Sequence, residues 1–295
     1  MRFVHISDIH VSAMPGSAAA WFDKRALGML NFQLFRRRLM RYVYLERARS
    51  VIGHLEPDWL VVTGDLTCTG SPEEFVLALK LLQPLRGGDT PSPCIYVPGN
   101  HDAYVRDARC DAALREAFTT LNDGRWTLAP DAHPAATLLP AEISLPGLSV
   151  LVLNECRPTL PWLSSGSLAP AARDRFREWL ARPRQPGEKR LLIGHYPCRT
   201  ANGQRFDWRR RLDDDRLLQD ALDSGHIDVA LCGHCHTPFV RLEASGAMEI
   251  CAGALTVHGR INVLDYSPQT GRFTQSWQDL DPDGPALIPL APATV

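Results

Sequence analysis

Cys94-Ile95-Tyr96-Val97-Pro98-Gly99-Asn100-His101-Asp102 joins a short apolar run to a glycine and three consecutive polar side chains. The run has the composition of a strand buried on both faces, as strands of a parallel sheet are. Polar residues placed so soon after such a strand are costly to bury without a purpose. The arrangement recurs along the chain. Phe3–Ile6 precedes Asp8, Trp59–Val62 precedes Asp65, Leu191–Ile193 precedes His195, and Val229–Leu231 precedes His234. Val150–Leu153 before Asn154-Glu155 has the same shape without an obvious ligand.

Helical periodicity separates these runs. Pro72–Leu82, Ala171–Ala181 and Asp214–Leu222 read as helices. Strands alternating with helices predict an α/β layered fold. Open α/β sheets carry their sites on the loops after strand C-termini, which is where these polar residues fall. After residue 240 the pattern changes. Met248–Ala252, Leu255–Val257, Arg260–Tyr266 and Arg272–Trp277 read as consecutive strands that extend or cover a sheet, and the Pro- and Ala-rich stretch from Asp281 to Val295 reads as irregular. No internal repeat is visible.

Residues 17–55 stand apart, between the first two strands. They are mostly helical in pattern and hold Lys24, Arg25, Arg36, Arg37, Arg38, Arg41, Arg47 and Arg49 among apolar residues such as Trp21, Phe22, Leu34 and Phe35. Two readings are open: a packed helical layer with a solvated basic edge, or a basic, partly apolar cap beside the site, suited to an anionic or amphiphilic substrate.

Composition bounds the rest. The chain has 295 residues, 45% hydrophobic and 22% charged, enough to bury a core without disulfide staples. The expectation is one domain over 1–295, with a helical insert at about 17–55 and C-terminal strands from about 245. A net charge of −1 gives no global case for a nucleic-acid binder. No apolar run is long enough for a transmembrane helix. The strand-like N-terminus lacks the layout of a secretory signal. The eight cysteines are scattered, with Cys232-Gly233-His234-Cys235 the lone CxxC spacing. A cytoplasmic location is expected from that usage. Oligomeric state is not legible.

Five short segments hold the side chains that can do chemistry. They are Asp8-Ile9-His10, Gly64-Asp65, Gly99-Asn100-His101-Asp102, Gly194-His195 and Gly233-His234-Cys235-His236. In an extended segment residues i and i+2 point the same way, so Asp8 with His10, and His234 with His236, are expected to chelate as pairs. Asp8, His10, Asp65, Asn100, His195, His234 and His236 make seven oxygen and nitrogen donors. Such a set suits Mn, Fe, Zn, Co or Mg. Seven donors are too many for one catalytic ion and suit two sharing a carboxylate. Two ions about 3.5–4 Å apart can activate a bridging water for in-line displacement at phosphorus.

The ordered set, including Gly64-Asp65-(x)4-Gly70, resembles the calcineurin-like metallophosphoesterase superfamily, nearest its bacterial phosphodiesterase-like branch, over residues 8–236. The resemblance implies a four-layer α/β/β/α sandwich of two facing mixed β-sheets flanked by helices, with the site on loops at one end. It also implies a phosphohydrolase, foremost a phosphodiesterase, using a metal-bridging hydroxide. Carried over, Asp8, His10 and His236 would bind the first divalent metal, Asn100, His195 and His234 the second, and Asp65 would bridge them, with Mn, Fe or Zn as the ions. His101 matches the family's non-ligand histidine, which protonates the leaving alkoxide or contacts the phosphoryl group, and its side-chain chemistry suits that. Asp102 is placed to support the ligands or to cap a turn. One departure stands out: Cys68 occupies a position where many members carry an Asp that orients the catalytic histidine, and where purple acid phosphatases carry an iron-binding Tyr. The dyad is therefore in doubt and a ferric tyrosinate site is excluded.

Cyclic nucleotides, glycerophosphodiesters and nucleotide-lipid pyrophosphates are all open as substrates. The 17–55 insert leans toward a bulky or lipid-linked phosphoester and toward peripheral membrane contact. A nuclease of the same superfamily would need a basic groove, which the net charge disfavours. A non-catalytic scaffold keeping the fold would be expected to have lost ligands or His101.

Overall fold

Alternation within each strand dictates the layers. The computed structural model describes residues 1–87, 91–126, 141–281 and 293–294. In chain order the strands are β1 (Arg2–Ile6), β2 (Trp59–Val62), β3 (Cys94–Tyr96), β4 (Ala141–Leu145), β5 (Leu148–Val152), β6 (Lys189–Ile193), β7 (Val229–Cys232), β8 (Phe239–Leu242), β9 (Met248–Cys251), β10 (Arg260–Ser267), β11 (Arg272–Asp279) and β12 (Ala293–Thr294). The helices are α1 (Lys24–Asn31), α2 (Val43–Leu55), α3 (Pro72–Leu82), α4 (Ala108–Leu121), α5 (Pro170–Ala181), α6 (Asp215–Asp223) and the short α7 (Leu255–His258).

Among the described residues the strands form two six-stranded sheets, ordered β12-β11-β10-β1-β2-β3 and β4-β5-β6-β7-β9-β8. β1, β2 and β3 are parallel, as are β5, β6, β7 and β9. Antiparallel strands complete both sheets, so each is mixed. Phe3, Val61 and Ile95 of the first sheet share one core with Val150, Val152, Leu191, Ile193, Val229 and Leu231 of the second. Their immediate neighbours, Val4, Leu60, Val62, Tyr96, Leu151 and Leu192, pack instead with helical residues such as Ala48, Phe75, Phe118, Phe176 and Leu222. Adjacent residues of one strand thus serve opposite faces. The result is the expected sandwich of two facing sheets between helical layers.

The helices follow local chemistry. Ser71 and Glu74 form a capping box ahead of Pro72 at the start of α3. Asp107 caps α4 by accepting from Arg109 N and Cys110 N. Asn122, just past α4, bonds both N and O of Tyr96 and ties that helix to β3. Trp179 of α5 donates to Ser149 Oγ on the second sheet at 2.8 Å.

Two expectations need correction. Leu255–Val257 is not a strand but part of α7, closed by a left-handed Gly259. β9 lies in the second sheet and β10 in the first, so this short segment is the crossover between sheets and has no strand partner to take. In the tail, Ala293–Thr294 is not irregular: it pairs with Thr274 and Gln275 as β12. The rest of that stretch, apart from Asp281, lies outside the described residues. Residues 17–55 comprise a 3-10 turn at Ala18–Trp21, α1, a π-turn at Phe32–Arg36 and α2.

Candidate metal centre

The seven candidate donors arrive from both sheets. Asp8 and His10 follow β1, Asp65 follows β2, Asn100 follows β3, His195 follows β6, and His234 and His236 follow β7. The loops are stitched together by main-chain bonds, including His10 N to Asp65 O at 3.0 Å and Gly233 N to His195 O at 2.9 Å. The paired ligands are not extended, contrary to expectation. Asp8, His10, Asp65, His234 and His236 all have positive φ, between 47° and 67°. Non-glycine residues seldom occupy this region, and such strain collects at functional sites. Left-handed turns aim the side chains inward straight after the strand ends. Two glycines make room: a Cβ on Gly64 would lie 2.5 Å from Gly99 N, and one on Gly99 would lie 2.1 Å from Asp65 Oδ1.

Asp8, His10, Asp65 and His236 form one cluster, with ligand atoms all within 4.8 Å of one another. His10 Nδ1 donates to Thr67 O at 3.2 Å, which turns its Nε2 inward, 2.9 Å from His236 Nε2. That Nε2 is 3.7 Å from both Asp8 Oδ1 and Asp65 Oδ2. Asp8 Oδ1 is buried and accepts no hydrogen bond among the described residues.

The other three donors gather on Asn100 Oδ1, which is 2.8 Å from His234 Nδ1 and 3.3 Å from His195 Nε2. His195 Nδ1 donates to Thr63 O and His234 Nε2 to Arg210 O, at 2.6 and 2.8 Å. Each ring is thus anchored by one nitrogen and presents the other, as metal-binding histidines are oriented. His195 Nε2 lies 3.7 Å from Asp65 Oδ1. Asp65 therefore faces one cluster with each oxygen.

The electrostatics ask for a cation. Burial, reinforced by the Asp65 carboxylate, pushes Asp8 up to about 7. Burial also lowers His195, and lowers His234 well below the usual histidine range. Packed carboxylates and uncharged imidazoles around a buried acceptor without a donor fit a divalent ion, whose charge reverses these penalties.

His101 sits at the edge. Its N–H donates to Asp65 Oδ1 at 2.8 Å, and its Nδ1 donates to Cys68 O at 2.6 Å. Its ring stacks on Tyr104 at 5.3 Å and meets His10 edge-on at 4.9 Å. The Cys68 side chain turns away from the cluster: Sγ donates to His10 O at 3.2 Å and packs with Phe32 and Met40. Asp102 is fully engaged away from the cluster, accepting from the N–H of Leu66, Thr67 and Gly99 and from the hydroxyls of Thr67 and Tyr96. It fixes the Asp65 and Asn100 loops to each other.

Glu155 was given no role by the sequence. Its buried Oε2 accepts from His195 N and Tyr196 N, both at 2.7 Å, and so sets the His195 loop. Its signal was its place after the Val150–Leu153 run. Tyr104 carried no signal; Lys24, with Nζ 4.2 Å above the Tyr104 ring, stood out only as one basic residue of the 17–55 insert.

Comparison with known proteins follows this geometry. A probable cyclic nucleotide phosphodiesterase from Rhodococcus erythropolis is 27% identical over 201 residues, 66% of this chain. The match spans 58% of that relative's length, less than two-thirds of it. A dimetal phosphatase from Danio rerio superposes with a TM-score of 0.63 at 14% identity, over 95% of this chain and 96% of that one. A purple acid phosphatase from yellow lupin (Lupinus luteus) seeds superposes with a TM-score of 0.58 at 12% identity, over 99% of this chain and 53% of that one. These two are likenesses of fold. The family model described as calcineurin-like phosphoesterase matches residues 1–238, and the chain belongs to that family.

Proposed function

We propose that the protein is a metal-dependent phosphoric ester hydrolase acting on phosphodiesters. The observation that carries this reading is Asp65, whose two oxygens face two separate donor clusters. In this reading Asp8, His10 and His236 hold one divalent ion, Asn100, His195 and His234 hold a second, and Asp65 is shared. The donor set suits Mn, Fe or Zn. Bound ions of this kind polarise phosphoryl oxygens and neutralise charge developing on them.

The chain's own groups do the rest. His101, with Nδ1 donating to Cys68 O, delivers a proton from Nε2 of its imidazolium form to the leaving alkoxide in this reading. The stack on Tyr104 fixes the plane in which that proton lies. Glu155 and Asp102 hold the ligand loops, so the donors need no rearrangement when substrate arrives. Retention of all seven donors and of His101 favours catalysis over a scaffold role. The free thiols of the eight cysteines suit a reducing cytoplasm. No helix among the described residues is long and apolar enough to cross a membrane.

The test is turnover by Mn-loaded protein on bis-nitrophenyl phosphate, nitrophenyl phosphate, glycerophosphodiesters and cyclic nucleotides, the last suggested by the Rhodococcus relative's name. Diester hydrolysis is expected to exceed monoester hydrolysis, and Asp65→Asn to lose both turnover and metal. Monoester preference would replace the phosphodiesterase reading with a phosphatase one. An Asp65→Asn variant with full activity would overturn the shared-ligand assignment.

A further inference from the structure

Among the described residues, large apolar side chains are exposed in one part of the molecule far more densely than elsewhere. Trp21, Phe22, Leu27, Leu34, Phe35 and Leu39 all project from residues 14–43, with Phe22 90% and Phe35 69% exposed. Exposed apolar residues such as Val76, Trp208 and Leu242 stand singly and need no explanation. A run of this density marks a surface that something covers.

The charge of the segment says what. Residues 14–43 contain six basic residues and one acid, Asp23, a formal +5 in a chain whose total is −1. Asp23 is bound by Arg25 at 2.7 Å. Arg37, Arg38 and Arg41 are exposed, and no ion pair joins them to a carboxylate among the described residues. The contacts given for Arg37 and Arg41 are neutral, to Gln33 and to Tyr44 Oη. A second copy docked through the same face would set the exposed Arg37, Arg38 and Arg41 against their own counterparts, Lys24 and Arg25 being buried. An anionic lipid surface answers both features, taking the apolar side chains into the headgroup boundary and the guanidinium groups against its phosphates.

The face is tied to the metal centre. Tyr42 Oη donates to His10 O at 3.0 Å, and Phe32 and Met40 pack on Cys68. A cavity of about 320 Å³, lined by Met14, Trp21, Ala26, Met29 and Leu30, opens within the segment, and Ser12, also in its lining, is two residues from His10. We propose that residues 14–43 form a docking surface for an anionic phospholipid bilayer, holding the protein on the membrane with its metal centre beside the lipid headgroups. This is independent of the reaction assigned above.

Co-sedimentation of the intact protein with vesicles tests it. The comparison is between phosphatidylcholine alone and phosphatidylcholine with phosphatidylglycerol. Binding is expected to the anionic vesicles and to weaken with added salt. Each arginine at such a surface contributes roughly fivefold, so Arg37→Gln with Arg38→Gln lowers partitioning by roughly 25-fold. Phe22→Ser with Phe35→Ser, both exposed positions, lowers it while leaving the Tm and turnover of soluble bis-nitrophenyl phosphate as in the parent. Failure to bind anionic vesicles overturns the proposal. So does binding that neither pair of substitutions weakens. A dimer in sedimentation velocity that the phenylalanine pair dissociates, without vesicle binding, assigns the face to a second copy and likewise overturns it.

Discussion

Replacing Glu155 separates the support of the metal centre from its ligands. The carboxylate is buried and accepts two main-chain N–H bonds, from His195 and Tyr196, at 2.7 Å each. Glu155→Ala leaves both donors buried without an acceptor, at about 1–3 kcal/mol apiece. Part of that loss is offset, because burial already penalises the charged carboxyl and pushes it up to about 7. The net destabilisation expected is roughly 2–4 kcal/mol, read by urea unfolding of the metal-free protein. Glu155→Gln keeps an acceptor oxygen and is expected within about 1 kcal/mol of the parent at pH 7. The sign of the pH dependence follows from the raised value. A carboxyl held above its ordinary value in the folded state contributes its full stability below about 4.5 and loses it as pH rises through about 7. The parent therefore loses stability relative to Glu155→Gln across that interval. Because His195 hangs from this contact, Glu155→Ala should also weaken metal binding by about 10–100-fold in a titration. An alanine variant with parental stability and metal affinity would refute the reasoning.

Four other outcomes follow from the same geometry. His101→Ala should keep its metal and lower the rate by roughly 10²–10⁴-fold for alkyl leaving groups, with a smaller loss for nitrophenyl ones; equal losses would count against proton donation. Gly99→Ala puts a methyl group 2.1 Å from Asp65 Oδ1, so kcat should collapse and stability fall by roughly 1–3 kcal/mol in thermal or urea melts. Cys68→Ser keeps a donor toward His10 O and an unchanged main-chain carbonyl, so kcat should hold while stability shifts by about 1 kcal/mol or less. Chelation should lower Tm, since ligand at 100 times its Kd stabilises by about 2.7 kcal/mol; a calorimetric scan unchanged on adding Mn back would argue against a metal centre.

The strands and the candidate donors were legible because burial on both faces leaves a plain apolar run, and because each run ends on residues that burial otherwise penalises. Pro72–Leu82 was legible for a local reason, the Ser71 and Glu74 capping box. Helix α4 was not read, although Cys110, Leu114, Ala117, Phe118 and Leu121 carry its buried stripe. The left-handed backbone at Asp8, His10, Asp65, His234 and His236 had only a weak signal, since Asp and His favour positive φ more than most non-glycine residues but seldom adopt it. Contacts such as Glu155 to His195, 40 positions apart, exist only once two strands lie side by side. Leu255–Val257 misled because a Leu-Thr-Val triplet suits a strand or one helical turn equally, and the crossing between sheets decides.

Cys68 shows why a departure from a motif need not remove a function. The sequence suggested that His101 had lost its orienting carboxylate. The orienting group is a main-chain carbonyl, Cys68 O, 2.6 Å from His101 Nδ1, which no side-chain substitution deletes. That frees the side chain for another task, and it serves the insert: Sγ bonds His10 O and packs with Phe32 and Met40. One residue thus meets His101 through its backbone and the basic, apolar segment through its thiol. A shift of that segment on binding a surface would act on Cys68, on the His10 carbonyl beside it, and through both on the edge of the metal centre. Coupling between docking and turnover, if the segment moves, has a short physical route of packed atoms.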